Sequence, residues 1–180
     1  ILAAGKSTRM KSSTPKALHR IAGRPMLGHV LDAVSGLGDA RIVLVLAPGM
    51  DDVAAYARDV SPELGIAIQE RALGTGDAVR AAEPLAGRGQ GVVLVMFGDT
   101  PQVRPETLKE MVAACLPEKP VVVLGFEAGD PAAYGRLVLD GGGALERIVE
   151  QKDASEEERA ITLCNGGAMA IRGEHLGRLL

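Results

Sequence analysis

The feature that most constrains this chain is a set of apolar segments that do not alternate. RIVLVLA (41–47), IAIQ (66–69), VVLVMF (92–97) and VVVLGFEA (121–128) are near-continuously apolar, and segments of helical period separate them. A strand with one wet face alternates polar and apolar residues, whereas a strand covered on both faces has no reason to. Strands of the second kind, interleaved with helices, predict a doubly wound α/β fold around a mostly parallel sheet.

The helical segments carry their own punctuation. After Pro25, the residues Met26, Leu27, Val30, Leu31, Val34 and Leu37 recur at helical spacing, with Gly38 as the stop. DDVAAYARDV (51–60) opens on two acids that suit the positive end of a helix dipole. GDAVRAAEPLA (76–86) and PETLKEMVAACL (105–116) complete the set, and ILAA (1–4) reads as a further strand. Near residue 130 the rhythm changes. YGRLVLDGGGALERIVEQKD (134–153) predicts a β-hairpin excursion around a glycine turn. Ser155 and Glu158 predict a capping box on a short helix, so the acids at 156–158 read as a solvated first turn and not as a metal site. NGGAMAI (165–171) and GEHLGRLL (173–180) return to strand and helix. The 180 residues suit a single domain, truncated at both ends.

Composition narrows the partners. A formal charge of -3 offers no long-range attraction to nucleic acid or anionic lipid. Aromatic residues make up 2% with no Trp, which leaves few stacking platforms for single strands. The apolar runs are too short to span a bilayer. Neither nucleic acid nor membrane is expected as a partner. Cys115 and Cys164 lack metal-site spacing and read as buried small hydrophobes in a reducing compartment, which makes a cytoplasmic enzyme the expectation. The histidines at 19, 29 and 175 have no partners at metal or triad spacing.

In a parallel sheet, ligands bind beyond the carboxyl ends of the strands. Four loops there carry chemistry. The loop from Ala3 to Lys16 combines small residues with Lys6, Arg9, Lys11 and Lys16, a composition suited to phosphate. Gly5-Lys6-Ser7 shares three letters with a P-loop, but a P-loop lysine runs directly into a helix, and here Ser12, Ser13, Thr14 and Pro15 intervene. With VVLVMFGD resembling a Walker B strand, a P-loop NTPase stays open as the reading of a different class. Gln69 to Gly76 holds two glycines around Thr75 and an amide that both donates and accepts, suited to closing over a flat ring. Asp99, after the most apolar strand, suits Mg²⁺ against phosphate oxygens, or a turn or N-cap position. The hairpin region offers Tyr134-Gly135-Arg136, Glu150 and Asn165 as hydrogen-bonding groups for a polyol.

Taken together, Leu2-Ala3-Ala4-Gly5-Lys6-Ser7-Thr8-Arg9-Met10 with Pro15-Lys16 resembles the opening signature of the nucleotidyltransferase (sugar-phosphate pyrophosphorylase) superfamily. Leu73-Gly74-Thr75-Gly76, Phe97-Gly98-Asp99, Tyr134-Gly135-Arg136, the run Ile148 to Asp153 and Asn165-Gly166-Gly167 narrow the resemblance. It is to the uridyltransferase domain of bifunctional N-acetylglucosamine-1-phosphate uridyltransferase/acetyltransferases. Ser7 and Gly166 depart from the pattern, standing where glycine and threonine are usual.

The resemblance implies a Rossmann-like nucleotide-diphospho-sugar transferase fold and synthesis of UDP-N-acetylglucosamine for cell-wall and lipopolysaccharide precursors. The substrates it implies are UTP and N-acetylglucosamine 1-phosphate, with Mg²⁺ as cofactor. It assigns Arg9, Lys16 and Asp99 to catalysis, with Asp99 on the metal. Leu2, Ala3, Gly5, Lys16, Gln69, Gly74 and Thr75 fall to the nucleotide, and Gly135, Glu150 and Asn165 to the sugar. It also implies a second metal ligand beyond residue 180 and a C-terminal hexapeptide-repeat acetyltransferase domain that builds a homotrimer. A sugar-1-phosphate nucleotidyltransferase of other specificity and a non-catalytic nucleotide-sugar-binding homologue are the alternatives within the same resemblance.

Overall fold

The computed structural model describes residues 1–5, 10–87 and 91–180. Arg9, one of the expected catalytic residues, lies outside the described residues, as do Lys6, Ser7 and Thr8. By internal packing the chain divides into two compact units, Ile1–Val122 with Ala170–Leu180, and Val123–Met169.

In the first unit a short hairpin, β1 (Arg20–Ile21) and β2 (Arg24–Pro25), leads into α1 (Met26–Ser35). There follow β3 (Val43–Leu46), α2 (Asp51–Val60), β4 (Gly65–Ile68), α3 (Thr75–Ala86), β5 (Val92–Val95) and α4 (Pro105–Ala114). β3 and β4 pair in parallel, with Leu44 opposite Ile66. Residues 1–4 complete the sheet: Leu2 forms parallel bridges to Val45 on one side and to Phe97, just past β5, on the other. Its amide donates to Met96 O at 2.7 Å, and its carbonyl accepts from Gly98 at 2.9 Å. The parallel, doubly wound reading therefore holds. β3 is buried at all four positions, as the unalternating pattern predicts, but β5 is only half-buried. It borders a second cavity of about 730 Å³, where the sheet is not covered.

The core of this unit is aliphatic. Leu27, Leu31, Leu44, Leu46, Val53 and Ala57 form one cluster, and Ala17 is packed into it. Burying each such side chain contributes about 1.5–3 kcal/mol for the larger ones, so Ala17 is held by a well-anchored wall. The β1–β2 hairpin was not legible in the sequence. Ala22 (φ 49) and Gly23 (φ 80) are both left-handed, as a type I′ turn requires, but strands of two residues leave no period to read.

In the second unit, β7 (Arg136–Leu139) and β8 (Leu145–Val149) pair antiparallel, the hairpin expected near 134–153, and β7 lies beside β9 (Leu163–Arg172). The glycine turn is organised by Asp140, whose Oδ1 accepts from Gly142 and Ala144 amides at 2.8 and 2.9 Å. α5 (Glu156–Arg159) carries the expected capping box, with both Ser155 and Glu158 bonds made. β6 (Val121–Glu127) pairs with β9, and α6 (Gly173–Leu179) belongs to the first unit. Gly166 has a local reason: a Cβ there would come within 3.0 Å of Leu124 O, the backbone of the neighbouring strand. Both cysteines are free and buried, and burial pushes the Cys115 thiol above its ordinary value. Among the described residues no helix is long and apolar enough to cross a membrane.

Candidate functional site

The first unit holds a cavity of about 350 Å³ beyond the carboxyl ends of its parallel strands. Leu2, Ala3, Gly5, Lys16, Gln69, Gly74, Thr75 and Asp99 all line it. Each arrives by a different local device. The extended backbone at 1–4, bridged at Leu2 between Val45 and Phe97, delivers Ala3 and Gly5 from the centre of the sheet. Gly98 keeps that approach tight, since a Cβ there would stand 3.1 Å from the Ala3 Cβ.

Lys16 opens a 3₁₀ turn, Lys16–Leu18, in which Leu18 N donates to Pro15 O at 2.9 Å. Pro15 sits at ψ 138, outside the helical region, and the buried Ala17 anchors the turn in the core. Lys16 is thus presented by its neighbours, a route unlike that of a P-loop lysine. Among the described residues the first α-helix does not begin until Met26.

Asp99 follows β5 and its carboxylate pairs with the Lys16 ammonium. It caps no helix, because the N-cap of α4 is Arg104. The two side chains remain 47% and 28% exposed, so the pair is open to exchange with a ligand. Among the described residues no group of three or more His, Cys, Asp and Glu side chains converges on a metal position. One carboxylate at a phosphate-sized cavity nevertheless fits Mg²⁺, which is commonly bound by one or two carboxylates with substrate phosphates completing its shell.

Gln69 is buried, and its amide does not reach into the cavity with both functions as the sequence reading supposed. Its Nε2 donates to Gly74 O at 3.0 Å and to Asp77 Oδ2 at 2.9 Å. The amide braces the glycine loop, and its acceptor oxygen is the function left for a ligand. Gly74 itself sits at φ 108, a conformation that side chains rarely adopt. Ala72, Ala78 and Phe97 also line the cavity, and Asp77 holds Gln69. Phe97 stands in the Phe97-Gly98-Asp99 motif already noted, and sequence reasoning missed the other three. Small apolar residues on a helix or loop carry no chemical signal, and only the acid in the first turn of α3 gave a hint.

Gly135, Glu150 and Asn165, the residues expected at the sugar, come together in the second unit. Asn165 N donates to Gly135 O at 2.8 Å. A Cβ at Gly135 would stand 3.5 Å from Glu150 Oε1 and 3.7 Å from Asn165 Cβ, so glycine leaves a gap between two polar groups. The Asn165 side chain is oriented by its own turn, with Oδ1 accepting from Gly167 N at 2.9 Å.

A parallel sheet with a cavity beyond its carboxyl ends, lined by small residues, a lysine and a carboxylate, is the setting of a nucleotide-binding α/β protein. Residues 1–162 match the MobA-like NTP transferase domain, and the chain belongs to that family. More particularly, it is 63% identical over 180 residues to the bifunctional protein GlmU of Parvibaculum lavamentivorans, covering 100% of this chain and 40% of that protein. It is 51% identical over 183 residues to the GlmU of Rhodospirillum rubrum, again covering 100% of this chain and 40% of the relative. The chain therefore spans 40% of the length of these relatives. A crystal structure of UDP-glucose pyrophosphorylase complexed with UDP-glucose superposes at a TM-score of 0.78 with 17% identity. That match covers 99% of this chain and 76% of that one, and it shows the fold.

Proposed function

We propose that this chain carries the uridyltransferase activity of a GlmU-type protein, forming UDP-N-acetylglucosamine and pyrophosphate from UTP and N-acetylglucosamine 1-phosphate. A phosphate oxygen of the sugar phosphate attacks the α-phosphorus of UTP. The α–β bridging P–O bond breaks, and pyrophosphate leaves with the electron pair. The attacking oxygen already carries negative charge, so no general base is needed. Positioning and charge neutralisation carry the rate.

The observation that supports this reading is the single cavity that gathers Leu2, Ala3, Gly5, Lys16, Gln69, Gly74, Thr75 and Asp99. In it Lys16 neutralises the phosphates, a role the resemblance gives to Arg9 as well. Leu2, Ala3 and Gly5 offer backbone groups, and Gly74 and Thr75 border the uracil. Gln69 accepts from the base through Oε1, its NH₂ being committed to Gly74 and Asp77. Asp99 would hold Mg²⁺, which supplies charge neutralisation of the triphosphate when bound. Gly135, Glu150 and Asn165 hold the sugar. The product feeds cell-wall precursor synthesis in the cytoplasm, and the longer protein assembles as a homotrimer through a C-terminal acetyltransferase domain.

The test is pyrophosphate release from UTP and N-acetylglucosamine 1-phosphate with Mg²⁺, compared with glucose 1-phosphate and with other nucleoside triphosphates. The expected result is at least a tenfold preference in kcat/KM for the first pair and loss of activity with EDTA. Equal rates with glucose 1-phosphate would instead identify a pyrophosphorylase of other specificity. Phosphate release from ATP without sugar would identify an NTPase.

A further inference from the structure

The second unit buries an arginine with no acid beside it. Arg136 is 3% exposed, and among the described residues no carboxylate pairs with it. Its guanidinium is met by backbone carbonyls instead. Nη1 donates to Tyr134 O and to Pro131 O at 3.3 Å, and Nη2 donates to Ala132 O at 3.3 Å and Arg159 O at 3.4 Å. Nε is buried without a partner. A buried cation is unfavourable unless its donors are satisfied, so an arginine kept among neutral carbonyls needs a reason.

Three of those carbonyls belong to the loop that immediately precedes Gly135. The loop is strained: Ala132 has φ 37, left-handed for a residue with a side chain. It is pinned from outside by the Ala132 N–H, which donates to Asp130 Oδ1 at 3.0 Å, and from inside by Arg136. The fourth carbonyl, on Arg159, reaches the other side of the sugar cluster. The Arg159 Nε donates to Gln151 O at 3.4 Å, one residue past Glu150. The two arginines therefore brace both the loop before Gly135 and the loop after Glu150. Only a planar fork of fixed donors spans four carbonyls in this way; a lysine ammonium offers three donors from one point.

We propose that Arg136 is the positioning residue of the sugar site, its carbonyl cage setting the Asp130–Tyr134 loop and the Gly135–Glu150–Asn165 geometry that receives the sugar. The proposal rests on the reading of those three residues as sugar-holding.

The experiment titrates UDP and UDP-N-acetylglucosamine into the wild-type chain, Arg136→Lys and Arg136→Met, and follows amide exchange at Tyr134 and Asn165. The expected result for Arg136→Met is a UDP Kd within twofold of wild type, a UDP-sugar Kd raised at least tenfold, and exchange at both amides accelerated at least tenfold. Arg136→Lys restores the charge and only part of the sugar affinity. Equal weakening of UDP and UDP-sugar, or unchanged exchange in a folded variant, overturns the proposal. Should Arg136→Met fail to fold, Asp130→Ala loosens the same loop from its exposed side; a loss of at least threefold in UDP-sugar affinity alone supports the proposal, and no loss overturns it. If wild type binds UDP and UDP-sugar equally, the sugar reading itself falls. Exchange at Tyr134 and Asn165 then decides the role of Arg136 in setting the loop.

Discussion

Lys16, at the head of a 3₁₀ turn, and Asp99, just past β5, are ion-paired on the wall of the cavity of about 350 Å³. Each is charged in the sense that a metal–triphosphate ligand needs: the lysine for phosphate, the aspartate for a divalent cation. Without a ligand they serve as each other's counter-ions. On the proposed reading, binding would exchange that pair for two better-matched partners.

The pair is solvent-open, so it contributes only about 0–1 kcal/mol to stability. Lys16→Met and Asp99→Asn should therefore melt within a few degrees of wild type, while kcat/KM falls at least about a hundredfold. In EDTA, Asp99→Asn should bind UTP more tightly than wild type, because the Asp99 carboxylate no longer competes with the triphosphate for Lys16. Isothermal titration reads this directly; equal or weaker binding counts against the exchange.

Gln69 braces the loop through two donor bonds from a buried amide. Gln69→Leu keeps the shape but leaves the Gly74 carbonyl and the Asp77 carboxylate without their donor. Unsatisfied groups of this kind cost about 1–3 kcal/mol. The expected outcome is a lower denaturation midpoint with an unchanged m-value, together with a raised UTP Kd.

At Gly135 the nearest atoms to an added Cβ lie at 3.5 Å or beyond, which is ordinary contact. Gly135→Ala should fold with a Tm close to wild type. Its methyl fills the gap between Glu150 and Asn165, so KM for the sugar phosphate should rise and that for UTP should not. Parallel shifts in both would place the defect elsewhere.

The capping box predicts a pH dependence. The Ser155 N–H and the Arg147 guanidinium both donate to the Glu158 carboxylate and hold its pKa below the ordinary value. A folded pKa below the unfolded one means stabilisation that is complete above the unfolded value and lost as pH falls through the folded one. The Tm difference between wild type and Glu158→Gln should be steady above about pH 5.5 and shrink below about pH 4.5. Calorimetric scans across that range test the sign.

Much of this was legible in the residues. Unalternating Val43–Leu46 is buried at every position, and the period from Met26 onward forms a helix, although it ends at Ser35 with Gly36 as its C-cap and not at the expected Gly38. Ser155 and Glu158 make their box within four residues, and Asp140 folds its glycine turn. These are local matters, decided by side-chain period and by hydrogen bonds a few residues long. The motif residues Gly5, Lys16, Gly74 and Asp99 were also recognisable, and they line one cavity.

What the sequence by itself determined is the order of strands and helices, the turns between them and the inventory of chemistry at their ends. Tertiary structure decided which groups are already spent. Gln69 faces Asp77, Lys16 faces Asp99, and Arg136 is enclosed by carbonyls from 131, 132, 134 and 159. The half-burial of β5 belongs to the same class. Secondary structure follows from the period of a segment, whereas a polar group's partner depends on which distant backbone packing brings within 3 Å or so of it.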